Sequence, residues 1–300
     1  MTKVLTTHNL TKRYGSLQVL TDISLEVEQG SVFGILGPNG SGKTTTLSIL
    51  LDIIPQNAGT YQWFGQEPSH RFRKKIGSLV ETPNFYEYLS AERNLKITAD
   101  IKEVPYPDIA RVLKIVDLFD RRKDKFSTFS LGMKQRLAIG AALLGNPEVL
   151  LLDEPTNGLD PQGIAEIRNL ILTVAGQGVT ILLASHILDE VEKVCSHVAI
   201  LKKGVLLSQG RVDAILGDED FLELKADDMQ QLQKALMDYP VIVDVVRDLD
   251  LYVVKLSQRI SNAEVNQYFF NKGIILTHLA GKKKNLEMQF LEITKEKTGN

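Results

Sequence analysis

Val32-Phe33-Gly34-Ile35-Leu36-Gly37-Pro38-Asn39-Gly40-Ser41-Gly42-Lys43-Thr44 decides the fold. Its first five residues form a short apolar run, which predicts a buried strand. A glycine-rich turn follows, and the spacing from Thr44 to Ile54 predicts a helix that Pro55, Asn57 and Gly59 bring to an end. Gly37 to Thr44 has glycines first and sixth and closes on Lys-Thr, the spacing of a phosphate-binding loop. The glycines permit positive φ, so successive N–H groups can turn inward on phosphate oxygens, and the helix adds the positive end of its dipole. Lys43 supplies a point charge for the outer phosphates, and the Thr44 hydroxyl can ligate Mg2+. A chance match in a chain of 300 residues is on the order of one in a hundred.

Two further apolar strands extend this frame. Val149 to Leu152 ends in Asp153-Glu154, and Thr180 to Ala184 ends in Ser185-His186. An Asp at the C-terminal edge of a buried strand lies beside the phosphates, where it can hold Mg2+; Glu154, one residue on, suits a general base acting on water. Alone, two acids after a strand can simply cap a helix; the phosphate cradle favours the catalytic reading. Fully apolar strands alternating with helices imply an α/β fold of the P-loop NTPase kind, with a parallel sheet covered on both faces. Val19-Leu20, Ile23, Leu25 and Val27 alternate with polar residues, which predicts an antiparallel β subdomain. From about 85 to 145 the spacing predicts an α-helical subdomain, broken near Pro105 and Pro107.

The pattern changes at Gly217-Asp218-Glu219-Asp220, an acidic break that divides a domain of residues 1–216 from one of residues 217–300. Strand Phe221 to Lys225, helix Asp227 to Met237, strands Val241 to Arg247 and Leu251 to Leu256, helix Ser261 to Asn271 and strand Ile274 to Leu279 follow, with a last helix to about Lys295. That order predicts a small α+β domain of ferredoxin-like arrangement. Lys282-Lys283-Lys284 reads as a solvated turn, with contact to lipid or nucleic acid as the alternative.

Composition narrows the function classes. The formal charge is −2, with 35 basic against 37 acidic residues, so the basic excess of a nucleic-acid-binding chain is missing. No run of about 18 apolar residues occurs, so no membrane-spanning helix is predicted, and the start of the chain lacks the apolar stretch of a signal peptide. Cys195 is the sole cysteine, fits a reducing compartment and reads as a buried structural thiol.

Four further stretches carry a resemblance: Asp153-Glu154-Pro155-Thr156-Asn157-Gly158-Leu159-Asp160-Pro161, Ser130-Leu131-Gly132-Met133-Lys134-Gln135-Arg136, Ser185-His186, and Tyr14 within Lys12-Arg13-Tyr14-Gly15. From about Met1 to Leu216, and in the right order, the chain resembles the ATPase subunit of an ATP-binding-cassette transporter. The resemblance implies ATP and Mg2+ as cofactors. Gly37, Pro38, Asn39, Gly40, Ser41, Gly42, Lys43, Thr44, Thr45 and Asp153 would hold the phosphates, and Tyr14 would stack on adenine. Glu154, His186 and Glu81 would be catalytic. Ser130, Gly132 and Asp160 would serve the nucleotide of a facing subunit, so two cassettes, a second copy or a paralogous ATPase, would complete the sites. The resemblance further implies a multi-span membrane permease as a separate chain, a cytoplasmic location on the inner face of the membrane through that permease, and no nucleic-acid partner.

The chain departs from the family in two places. Leu131 and Met133-Lys134 replace positions of the usual Leu-Ser-Gly-Gly-Gln signature, although Ser130 and Gly132 are kept. Leu79-Val80-Glu81-Thr82-Pro83 places a glutamate where the family carries a glutamine; Glu81 can still ligate Mg2+ and accept from water, but it lacks the amide's donors. Both features, and Asn84 to Leu95, resemble exporters of the bacitracin-resistance and lantibiotic-immunity type. Phe85, Tyr86 and Tyr88 are expected to be exposed and to line a groove for a permease helix, with a contact between subdomains as the alternative. Two other function classes are a soluble cassette ATPase acting on nucleic acid or ribosomes and a regulatory module without turnover. The single cassette and the charge balance oppose the first, and the intact Glu154 and His186 oppose the second.

Overall fold

The computed structural model describes residues 2–69, 72, 74–80, 82–216, 220–258 and 260–296. Two compact units divide the chain, one of Met1–Val212 with Ile293–Asn300 and the other of Asp213–Glu292.

The first unit opens with β1 (Lys3–Tyr14), β2 (Leu17–Ile23) and β3 (Glu26–Glu28), followed by β4 (Val32–Leu36) and the helix α1 (Lys43–Leu50). β5 (Ala58–Trp63) and β6 (Ile76–Leu79) lead to three helices, α2 (Ala91–Lys102), α3 (Pro107–Ile115) and α4 (Leu131–Leu143). β7 (Val149–Asp153), α5 (Pro161–Gly176), β8 (Thr180–Ser185), α6 (Leu188–Val194), β9 (His197–Lys202) and β10 (Val205–Arg211) complete the run, and α7 (Val212–Leu216) begins at the last residue of the unit's longer segment. β1 pairs antiparallel with β2, β3 and β5. A second sheet runs β10-β9-β4-β8-β7-β6 and is parallel except for the antiparallel edge strand β10.

Every residue of β4, β7 and β8 is buried, as expected for parallel strands covered on both faces. Alternate residues Phe33, Ile35, Val149, Leu151, Leu182 and Ala184 share a core with Leu5, Leu20 and Val27 of the antiparallel strands and Leu47 of α1. The opposite face receives helices at close range. A methyl group on Gly34 would lie 2.7 Å from Val191 of α6, and one on Gly77 would lie 2.2 Å from the Ala142 carbonyl of α4. α1 ends at Leu50, short of the expected Ile54; the indole of the buried Trp63 donates to its last carbonyl, that of Leu50, at 2.9 Å.

The segment before α2 is pinned to the segment before α4. Ala91 and Glu92 donate backbone bonds to Asp124 and Arg122, and Phe126 and Ser127 donate to Leu89 and Glu87. The buried Asn94 side chain accepts from the Tyr86 N–H at 2.9 Å and donates to the Tyr86 and Ser90 carbonyls. Cys195 caps the C-terminus of α6 and is buried, which raises its thiol pKa far above the ordinary value by desolvation.

In the second unit the order is β11 (Asp220–Ala226), α8 (Met229–Met237), β12 (Ile242–Asp248), β13 (Leu251–Leu256), α9 (Asn262–Asn271) and β14 (Leu276–Lys283), followed by α10 (Leu286–Glu296), which belongs to it as far as Glu292. The sheet runs β12-β13-β11-β14 and is antiparallel throughout. Leu224, Val254, Leu232, Leu236 and Phe269 fill its core. Two of the three lysines expected in a turn belong to a strand instead: Lys282 and Lys283 pair with Phe221 and Asp220 at the end of β14. Lys284 is buried, with its ammonium 2.6 Å from Glu292. The extra ladder pairs explain why the strand outruns its apolar sequence.

Candidate nucleotide site

β4, β8 and β7 are neighbours with nearly level registers: Leu36 pairs with Ser185, and Asp153 with Ala184. Strands about 4.8 Å apart therefore release Gly37, Glu154 and His186 along one edge of the sheet, the edge where open α/β sheets bind ligands.

Lys43 turns back from the first position of α1 into that edge. Its buried ammonium donates to the Gly37 carbonyl at 2.8 Å and the Pro38 carbonyl at 3.3 Å, and lies 3.2 Å from a carboxylate oxygen of Glu154. The other Glu154 oxygen is 2.8 Å from His186 Nδ1 and accepts the His186 backbone N–H at 3.4 Å. Glu154 has φ +46, unusual for a side-chain-bearing residue, and its backbone holds this conformation by donating to the Ala184 carbonyl and accepting from Asn157. Cation, carboxylate and imidazole thus form one chain. Phosphate oxygens reaching Lys43 would compete for the ammonium and free Glu154 Oε1 to accept a proton from water, while His186 holds Oε2 in place.

The loop fits a phosphate. Gly42 has φ +104, and a methyl group on Gly37 would lie 2.2 Å from the Leu201 carbonyl and 2.5 Å from Ser41 Oγ, so a side chain would fill the cradle. Ser41 Oγ is buried and has no hydrogen-bond partner among the described residues. An unsatisfied buried hydroxyl costs about 1–3 kcal/mol, which a phosphate oxygen would relieve. Thr44 is exposed on the first turn of α1, Thr45 is half-buried, and Asp153 is buried. Among the described residues no cluster of three His, Cys, Asp or Glu side chains could hold a metal alone. A divalent cation here would need phosphate oxygens to complete its shell, which is the habit of Mg2+.

The remaining expected site residues form other groups. Ser130 caps α4, its hydroxyl accepting the Met133 N–H at 3.3 Å, and Asp160 caps α5 by accepting the Gly163 N–H at 2.9 Å. Gly132 faces Gly163 and Leu159, and Gly158 faces Leu131, so the signature turn and the loop before α5 share one surface. Among the described residues, Lys43, Glu154 and His186 make no hydrogen bond or ion pair to Ser130, Gly132 or Asp160. Tyr14 is 50% exposed, with the Lys12 ammonium 5.0 Å from its ring centroid. Glu81 lies outside the described residues.

Of the three aromatics expected at the surface, Tyr86 and Tyr88 are exposed, but Phe85 is half-buried, edge-on to Phe126 at 5.2 Å. Its apolar ring fills the gap beside the pre-signature turn. Sequence reasoning missed an apolar pocket of about 180 Å³ lined by Leu50, Ile53, Tyr61, Trp63, Phe72 and Ile76. The sequence carried no separate signal for it, because the exposure of Ile53 follows only once α1 is seen to end at Leu50.

The ABC transporter family profile matches residues 20–157. Over 98% of this chain and 97% of the other, the sequence is 35% identical to the bacitracin transport ATP-binding protein BcrA of Enterococcus faecalis. This chain belongs to the ABC transporter ATP-binding family. It is also 39% identical to the lantibiotic transport ATP-binding protein SrtF of Streptococcus pyogenes, over 72% of this chain and 93% of that protein. Among solved structures it is similar to cbiO1 from Clostridium perfringens, part of the ABC transporter complex cbiONQ, with a TM-score of 0.65, 28% identity and coverage of 70% of this chain and 89% of that one. The ABC ATPase is thus an ATP-binding, ATP-hydrolysing transporter subunit, and its edge row of Lys43, Glu154 and His186 sits on the family's fold. None of its described helices is long and apolar enough to cross a membrane.

Proposed function

We propose that this ABC ATPase binds Mg-ATP as one half of a two-copy sandwich at the inner face of the membrane and drives a separate multi-span permease that exports a peptide antibiotic or similar amphiphile. The observation that carries the catalytic reading is the unbroken chain from Lys43 through Glu154 to His186. Loop amides from Gly37 to Thr45 and the Lys43 ammonium bind the phosphates, and Tyr14 offers an exposed ring to adenine. Mg2+ would be held by the Thr44 hydroxyl and Asp153, with Glu81 as a further oxygen, and would neutralise phosphate charge. Glu154 orients water and takes its proton, and His186 fixes the carboxylate.

Ser130 and Gly132 open α4 toward solvent and serve the γ-phosphate of the facing copy, while Asp160 stands in the loop that crosses to that copy. The names of the bacitracin and lantibiotic relatives support the substrate class. The exposed Tyr86 and Tyr88 and the apolar pocket beside Trp63 support a permease contact on the first unit. Residues 217–300 are read as an accessory domain, and the strand order β12-β13-β11-β14 supports a ferredoxin-like arrangement for it.

Phosphate release from the full chain with Mg-ATP tests the assignment. Glu154→Gln is expected to lower turnover on the order of 100-fold or more while nucleotide affinity stays within a few-fold. Turnover at the unmodified rate would remove Glu154 from the mechanism. Lys43→Ala is expected to lose ATP binding itself, read by nucleotide titration.

A further inference from the structure

A basic cleft of about 320 Å³ lies between the first turns of α2 and the segment that precedes α4. Arg93 and Lys96 line one wall, Lys123 and Lys125 the other, and Tyr88, Ser90 and Glu92 complete it. None of the nucleotide-site residues borders this cleft.

The cations are partnered unevenly. Lys96 sits 3.1 Å from Glu92, the one carboxylate on the cleft wall. In the run Arg121-Arg122-Lys123-Asp124-Lys125, Arg121 pairs with Asp124, and Arg122 lies 4.2 Å from the Phe119 ring centroid and donates to the Phe119 carbonyl. Arg93, Lys123 and Lys125 have no ion pair among the described residues, although all three border the same small volume. Three unneutralised cations in one cleft repel each other, and that repulsion turns into attraction once an anion is present. The hydroxyls of Tyr88 and Ser90 and the Arg93 guanidinium add donors suited to several oxygens on one centre. A carboxylate would leave two of the three charges uncompensated, whereas a doubly charged phosphate leaves one.

We infer that this cleft is a second anion site, for a phosphate group distinct from the nucleotide's, presented by a lipid headgroup or by a soluble phosphate compound. Its walls are the two segments stitched together by the Ala91–Asp124 and Glu92–Arg122 backbone bonds and the Ser90–Lys125 bridge. A bound phosphate adds a charged cross-link to that seam, five residues ahead of Ser130.

The test compares Lys123→Ser/Lys125→Ser with a control of equal charge change, Lys74→Ser/Lys114→Ser, in the full chain. All four positions are exposed, so both variants are expected to fold. Two probes are used: cosedimentation with phosphatidic acid vesicles, whose headgroup is a phosphomonoester, with phosphatidylcholine vesicles as blank, and calorimetric titration with pyrophosphate in saturating Mg-ADP, which fills the nucleotide loop. Both variants keep the nucleotide loop, so a difference between them reports the cleft alone. The cleft variant is expected to bind about tenfold or more weakly than the control. A loss with vesicles alone identifies a lipid headgroup as the source, and a loss with pyrophosphate alone identifies a soluble phosphate. Equal binding by the two variants to both probes, or no binding of either probe by the unmodified chain, overturns the site.

Discussion

Gly132 separates folding from function at the scale of one residue. A methyl group there meets nothing closer than 3.9 Å, and the residue lies inside α4, where Gly→Ala commonly stabilises by roughly 0.5–1 kcal/mol. Gly132→Ala is therefore expected to raise the unfolding midpoint slightly in chemical denaturation. If the start of α4 serves a facing phosphate, the same variant lowers ATP turnover, with about tenfold as the expected scale. Unchanged turnover would leave α4's first turn a structural feature only. Lys43, Glu154 and His186 were legible in the sequence because each follows an apolar strand or a glycine turn of fixed spacing. Ser130 and Asp160 were legible as positions, but their capping bonds were not, since a capping hydroxyl or carboxylate and a ligand-binding one look alike until the helix start is known.

At the scale of elements, Lys102 links α2 to the far end of α4. Its ammonium donates to the Ala141, Ala142 and Leu144 carbonyls at 2.9, 3.0 and 3.3 Å, closing the C-terminus of the signature helix. Burial pushes its pKa down from 10.5 to about 8, against a smaller raising effect of Asp108. The sign follows from proton uptake: between pH 8 and 10.5 the unfolded chain holds the proton that the folded chain has lost, so Lys102's contribution makes stability rise with pH. Its full span is about 3 kcal/mol. Denaturant unfolding across that window is expected to show a smaller rise for Lys102→Met than for the unmodified chain, and equal slopes would contradict the shifted pKa. The buried strands β4, β7 and β8 could be read directly from continuous apolar runs. β6, with only Ile76 and Leu79 apolar, could not: it is the edge strand of its sheet, and its place comes from pairing with β7.

At the scale of the whole molecule, the proposed two-copy sandwich rests on two groups of residues that the chain holds apart. Lys43, Glu154 and His186 form one group, while Ser130, Gly132 and Asp160 gather around α4 and α5 without a bond to it. Order along the chain made both groups visible, but no periodicity revealed that no bond joins them among the described residues, because that depends on how the helices pack, as α4 does against β6 at Gly77. In the proposed sandwich, ATP joins two such chains across these two groups. Light scattering of Glu154→Gln with Mg-ATP tests it most directly. The expected result is a doubled mass with ATP, a single mass with ADP, and a monomeric unmodified chain that turns ATP over. A variant that binds ATP yet keeps the mass of one chain would contradict it.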